Sequence, residues 1–330
     1  MPVVCRTLTT IVALFALATV ASAGEALKVG LILAGSATDG GWNQLAADAL
    51  AQVKTKLGAQ VAVIQKVTQD KAGDELRDYA ADGYQLVIAH GYEFLNPAAE
   101  AAKTITATKF AVSGADVAKP GIATLDFDLS QASYQLGIIA GRMTKTGKLG
   151  FLGGAPFPSV KACYRGFVAG AKSVKPDVTV AEAYTSWDEP VKSKSQTEAF
   201  LRQGIDLVYH DVDAASRGVF EAIRERNVKD PASPVYVFGS VADQNANPIC
   251  ASHTLASAVI RLDTTFLRLA TAVRDGSFKP GIERENIALG TCVAVLNPTL
   301  VGSLLTPAIQ AEVEEAGKKL AAGTISVPTE

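Results

Sequence analysis

The chain has 330 residues, of which 48% are hydrophobic and 19% charged, and its formal net charge is −2. That length suits two domains of roughly 150 residues, each with a sizeable core. The near balance of charges, with no long run of Lys and Arg, argues against nucleic acid as the partner, because phosphate binding needs clustered cations.

Residues 1–23 read as an export signal. MPVVCRTLTTIVALFALATVASA joins one Arg, an apolar stretch from Ile11 to Val20 and the small triplet Ala21-Ser22-Ala23. These are the charged start, apolar centre and cleavage site of a secretory signal, and the apolar run is short for a membrane span. Cys5 precedes the apolar centre, so it does not stand where a lipid-attachment cysteine would. The expected product is a soluble periplasmic protein starting near Gly24. Export permits disulfides. The expectation is that Cys250 and Cys292, both in stretches that look like crossings between domains, pair and leave Cys163 free. The chain holds three His (His90, His210, His253) and no zinc spacing, so neither metal nor cofactor is expected.

From Leu27 onward, short apolar runs alternate with helical patterns. LKVGLILAG reads as a buried parallel strand. A helix follows from about Trp42 to Lys56, then AQVAVIQ, a helix over about Ala72–Asp82, YQLVIAHG, a helix from about Pro97, and KFAVSG. The pattern restarts after TLDFDLSQ, with helices near Ala132–Thr144, Lys161–Ser173, Val191–Gln203 and Ala215–Arg226. Between them lie KLGFLGG, VTVAEAYTS, DLVYHD and VYVFGS. From CASHTLASAVI, through a helix near Asp263–Asp275 to NIALGTCVAVLN, the chain crosses between units again. This predicts two doubly wound α/β lobes about a hinge: residues 24–127 with about 256–290, and 128–255 with about 291–330.

Ligands of such sheets bind beyond the carboxyl ends of the strands. There the sequence places SATDGGWN, HGYEF, GGAPFP, TSWDEP, HDVDAAS and GSVADQ. Each lobe offers one Trp at such an end, Trp42 and Trp187, and the chain has no other. Two indoles on opposite lobes suit a cleft that stacks a flat ring from both sides. The glycines before Trp42 let the backbone approach a ligand, and the helix start behind it is expected to leave N–H groups for the ring's acceptor edge. DGGWN lacks the Lys-Ser/Thr of a phosphate loop, and neither GxGxxG nor GxSxG occurs. His210-Asp211-Val212-Asp213 reads either as a helix-capping turn or as a hydrogen-bonding cluster. An enzyme would need a nucleophile–base pair or a metal cluster, and neither motif is present.

The chain resembles the basic membrane protein family of ABC-transporter substrate-binding proteins, which includes purine nucleoside receptors. The resemblance rests on VGLILAGSATDGGWNQLAADA, GYEFLNPAAEAAK, QLGIIAGRMTKTGKLGFLGG, KACYRGFVAGAKSVKPD, SWDEPVKSKSQTEAFLRQGIDLVYH and FGSVADQ. It implies a type I periplasmic-binding-protein fold with three crossovers and a purine ligand held between Trp42 and Trp187. It also implies Asn43 and Asp39 at the ring edge, and a membrane permease as partner. Tyr92, Glu93, Asp211, Asp213 and Ser240 are further hydrogen-bonding candidates. At three positions the chain departs from the nucleoside-binding pattern. The ribose-gripping aspartate falls on Val241, the following lysine on Ile260, and a strand-end aspartate on Gly114. Unpaired ribose hydroxyls would cost about 1–3 kcal/mol each, so a free purine-like base is expected rather than a nucleoside. The chain is expected to act as a monomer, and a ligand-sensing module of a membrane receptor is the competing reading.

Overall fold

The computed structural model describes Met1 and residues 26–328, so the signal-peptide reading and Cys5 lie outside the described residues. The first lobe runs β1 (Lys28–Leu33), α1 (Trp42–Leu57), β2 (Gln60–Ile64), α2 (Gln69–Ala81), β3 (Leu86–His90), α3 (Leu95–Thr104), β4 (Lys109–Ser113) and β5 (Ile122–Phe127). The second continues with α4 (Ser130–Met143), β6 (Lys148–Gly153), α5 (Pro158–Val174), β7 (Thr179–Tyr184), α6 (Pro190–Arg202), β8 (Leu207–Asp211), α7 (Ser216–Lys229), β9 (Tyr236–Val241) and β10 (Thr254–Ile260). The chain then returns to the first lobe for α8 (Leu262–Arg274) and β11 (Gly281–Glu285), and ends in the second with β12 (Cys292–Leu296) and α9 (Pro307–Ala321).

Two six-stranded sheets result, ordered β11-β5-β4-β3-β1-β2 and β12-β10-β9-β8-β6-β7. Every pairing is parallel except β10 with β12. Runs such as VGLIL in β1 and LVYHD in β8 are buried along their length, as strands covered on both faces require. One apolar cluster is shared by both lobes, taking in Leu31 and Phe266 of the first and Phe151 and Phe167 of the second. Two further clusters lie on the outer faces of the sheets.

Three crossings join the lobes: at Asp128, at Arg261, and from Glu285 to Cys292. They are tied to one another, since Asp128 N–H donates to the Glu285 carbonyl (2.8 Å) and Arg261 N–H to that of Thr291 (2.7 Å). The second crossing lies later than the expected boundary near residue 256, because Thr254–Ile260 pairs with β9 and is a strand of the second sheet. Neither β11 nor α9 was anticipated. The sequence of β11, GIERE, is charged and sits at a sheet edge, so no buried apolar run marks it. For α9 a local signal existed: Thr306 caps it, accepting from Ile309 N–H, and Pro307 opens its first turn.

The expected Cys250–Cys292 bridge does not form, and Cys163, Cys250 and Cys292 are all free and buried. The reason is the length of β10. Cys250 lies at its start, its carbonyl accepting from the Thr254 hydroxyl (3.0 Å), whereas Cys292 pairs with Ile260 at its end. Six residue rises of about 3.3 Å put the two roughly 20 Å apart, far beyond disulfide reach. Mass mapping of a non-reduced digest of the protein is expected to find all three as free thiols; any bridge among them would contradict this packing.

Candidate functional site

The carboxyl ends of β1, β3 and β4 face those of β6, β8 and β9 across the cleft. In the first lobe the turn before α1 is organised by Asp39. One carboxylate oxygen accepts from Gly41 N–H (2.9 Å) and Gln44 N–H (3.0 Å), the other from Asn43 N–H (3.1 Å) and the Asn43 amide (2.8 Å). The Asn43 side-chain oxygen in turn accepts from Gly35 N–H (3.0 Å). These polar groups thus hold the turn that carries Trp42. The remaining N–H of the first helical turn, that of Trp42, donates to Asp213 of the second lobe (3.0 Å). The expectation of open N–H groups at this helix start is therefore corrected: Gly41, Trp42, Asn43 and Gln44 are all engaged, because two carboxylates converge on them.

The Trp42 ring lies flat on His90, with centroids 3.9 Å apart and planes at 23°, and meets the edge of Phe127. His90 is fully buried at the end of β3. Its Nε2 bonds the Trp42 carbonyl (3.0 Å), and its Nδ1 meets the Ser113 hydroxyl. A carbonyl only accepts, so Nε2 carries the proton and Nδ1 accepts from Ser113. Burial pushes His90 down to about 3, against the Trp42 carbonyl and the charge of Asp39, so the ring is neutral. Gly114 makes room for this stack, since a Cβ there would stand 3.1 Å from Trp42 Cζ2.

In the second lobe, Trp187 lies against Gly154, where a Cβ would come within 2.3 Å of its ring. Its carbonyl accepts from Ala215 N–H (2.9 Å). Phe157, 57% exposed, has its ring centre 6.1 Å from that of Trp187. Asp211 and Ser240 are buried at neighbouring strand ends. Ser240 adjoins a hydroxyl chain in which Tyr209 reaches both Ser133 (2.9 Å) and Ser240 (3.4 Å). Burial raises Asp211 to about 6, with hydrogen bonds from Ser240 and Cys163 opposing. Asp213 is raised to about 7, by burial first and then by the charges of Asp39 and Asp211, while the Trp42 N–H lowers it. Val241, half-buried, closes β9 at φ 67°, a left-handed conformation that a β-branched residue rarely takes and that collects at functional sites. Ile260 is buried in the shared core.

Tyr92 is exposed (57%) on the loop after β3, and the Glu93 carboxylate folds back over Gly91. His210 does not join Asp211 and Asp213. Strand alternation sends it to the opposite face, where it meets Phe220 edge-on with no hydrogen bond at either ring nitrogen. Sequence reasoning missed His90, Phe157 and Gln244, whose side chain donates across the cleft to the Gly40 carbonyl (3.1 Å). The first two carried a signal, being a His ending a buried strand and a Phe in the post-strand loop GGAPFP.

Two α/β lobes joined by three crossings, each with an indole on a strand-end loop, have the architecture of a two-lobed binding protein. The chain belongs to the Bmp family, described as ABC transporter substrate-binding protein PnrA-like, whose profile matches residues 26–295. An ABC transporter solute-binding protein from Conexibacter woesei has the same fold, with a TM-score of 0.77 and 26% identity over 92% of this chain and 99% of that one. The chain is 26% identical to a CD4+ T-cell-stimulating antigen of Listeria monocytogenes over 274 residues, 80% of this chain and 76% of that one. It is 26% identical to a purine-binding protein of Brucella abortus over 81% of this chain and 75% of that one. An ABC transporter nucleoside-binding protein of Lactococcus lactis is 28% identical over 60% of each chain. Among the described residues no helix is long and apolar enough to cross a membrane.

The unpaired His210 makes a prediction about acid stability. Burial lowers its pKa to about 4, with the nearby Val212 main chain pulling the other way. The unfolded chain, near 6.5, therefore binds the proton first. Stability is full above about 6.5 and is lost as pH falls towards 4, by about 3 kcal/mol from this group. His210→Leu is expected to narrow the gap between melting temperatures at pH 7 and pH 4, and to leave stability at pH 7 unchanged or about 1 kcal/mol higher. An unchanged gap would contradict this account.

Proposed function

We propose that this protein is the periplasmic receptor of an ABC importer. In this reading it acts as a monomer, without catalysis, and closes on a free purine-like base stacked between Trp42 and Trp187 before docking with its permease. The observation that carries the reading is one indole on a strand-end loop of each lobe, each backed by a flat surface: the neutral His90 ring under Trp42, and the Gly154 backbone beside Trp187. The name of the Brucella relative, a purine-binding protein, supports the ring class. Asp211, Ser240, Tyr92 and Glu93 address the ring edge in this proposal. Asp39 and Asn43 act indirectly, by holding Trp42 in place.

The preference for base over nucleoside rests on Val241 and Ile260, which offer a sugar no hydrogen bond. Ligand-driven closure requires the ligand to bind the closed form more tightly than the open one, and stacking on two indoles supplies that difference only when the lobes meet. Titration calorimetry with matched pairs, such as hypoxanthine and inosine, is expected to show the base binding at least about tenfold more tightly, about 1.4 kcal/mol. Equal or tighter nucleoside binding would assign the chain to the nucleoside-binding members instead.

A second measurement tests the stacking itself. Ligand should quench tryptophan fluorescence strongly, and Trp187→Ala should weaken binding by about 1–3 kcal/mol, as for base–aromatic stacks elsewhere. Unchanged affinity in both Trp42→Ala and Trp187→Ala would overturn the sandwich.

A further inference from the structure

The turn before α1 is hydrogen-bonded across the cleft to the second lobe. Trp42 N–H donates to Asp213 (3.0 Å), and the Gln244 amide donates to the Gly40 carbonyl (3.1 Å). Between these bonds lies Gly41. A Cβ on Gly41 would stand 2.3 Å from the Asp213 carboxylate oxygen and 2.9 Å from its Cβ and Cγ, closer than any real contact. The carboxylate of one lobe thus fills the space that a side chain would take in the other.

We propose that Asp213 and Gly41 form a closure latch that works whatever the cleft binds. Asp39 satisfies three of the four N–H groups at the start of α1 from within the first lobe. Only the fourth, on Trp42, is left for the second lobe. Closing the hinge seats Asp213 on it, where the helix dipole favours an anion. Gln244 clasps the adjoining carbonyl, itself steadied by a bond from its own N–H to the Ser257 hydroxyl (3.0 Å).

The latch also reaches the second indole. Asp213 is two residues from Ala215, whose N–H holds the Trp187 carbonyl (2.9 Å), and the Asp213 carbonyl accepts from Ser216 N–H (2.9 Å). One short loop therefore binds the main chain of both tryptophans. Latching sets the separation of the two rings, so Asp213 and Gly41 are positioning residues for the gap into which a flat ligand fits.

The test needs no ligand, so its result is separate from any result on purines. Spin labels on Asp78→Cys in α2 and Lys192→Cys in α6 report the distance between lobes by pulsed electron resonance. The parent chain is expected to show a short-distance population without ligand. Gly41→Ala and Asp213→Ala are each expected to remove it, and Asp213→Asn, which keeps an acceptor oxygen, to restore part of it. In the Asp213→Ala background the Cβ of residue 213 remains, 2.9 Å from the one that Gly41→Ala would add, so the double variant is expected to lack the short population as well. Thermal melts establish that each variant is folded. A parent without the short population, or single variants that retain it, would overturn the latch.

Discussion

The start of α1 has four N–H groups that no helical carbonyl can reach, and the arrangement of the cleft follows from how they are satisfied. The nominal cap, Gly41, has no side chain to offer. Asp39, two residues earlier, curls forward to take three of the four and binds the Asn43 amide as well. That clamp fixes the direction in which Trp42 leaves the backbone. The fourth N–H faces the second lobe and meets a carboxylate carried by the loop after β8. Capping, aromatic placement and contact between lobes are thus one set of hydrogen bonds.

The stack beneath Trp42 shows how a position gains meaning from its neighbour. Gly114 falls where nucleoside-binding members of the family carry aspartate, by the resemblance of the surrounding sequence. Here Gly114 takes φ 80° and a Cβ would stand 3.1 Å from the indole, so a side chain at 114 would strain the backbone and need the ring to shift by a few tenths of an ångström. His90 completes the platform because burial keeps it neutral and its two nitrogens are locked between a carbonyl acceptor and a hydroxyl donor. A ring fixed in this way presents a surface without net charge, suited to stacking rather than to ion pairing.

Charge in the cleft is set by burial. Asp213 sits close to Asp211 and to Asp39, and the carboxyls of Asp211 and Asp213 are both raised well above the usual carboxylate range. The hydrogen bond from Trp42 works in the opposite direction, so contact between the lobes and the ionisation of Asp213 favour each other. The strained backbone at Val241 lies at the same end of the second sheet, beside buried Ser240.

Strand–helix alternation, the two-lobe division and the strand-end position of both tryptophans were legible in the sequence, because periodicity of apolar residues and turn chemistry are local properties. So was the family resemblance. Two boundaries were not: β10 sits in the second sheet by virtue of its pairing with β9, and β11 hides in a charged edge. The fate of individual polar atoms was less legible still. Asn43 and Asp39 have the chemistry of ring-edge ligands, yet their hydrogen bonds are spent on the turn, and the His210 nitrogens face an apolar layer. What completes the helix start of residue 42 is a carboxylate 171 positions away. A residue's chemistry is written in the sequence, but its partner is chosen by where the chain returns in space, and that only the tertiary structure decides.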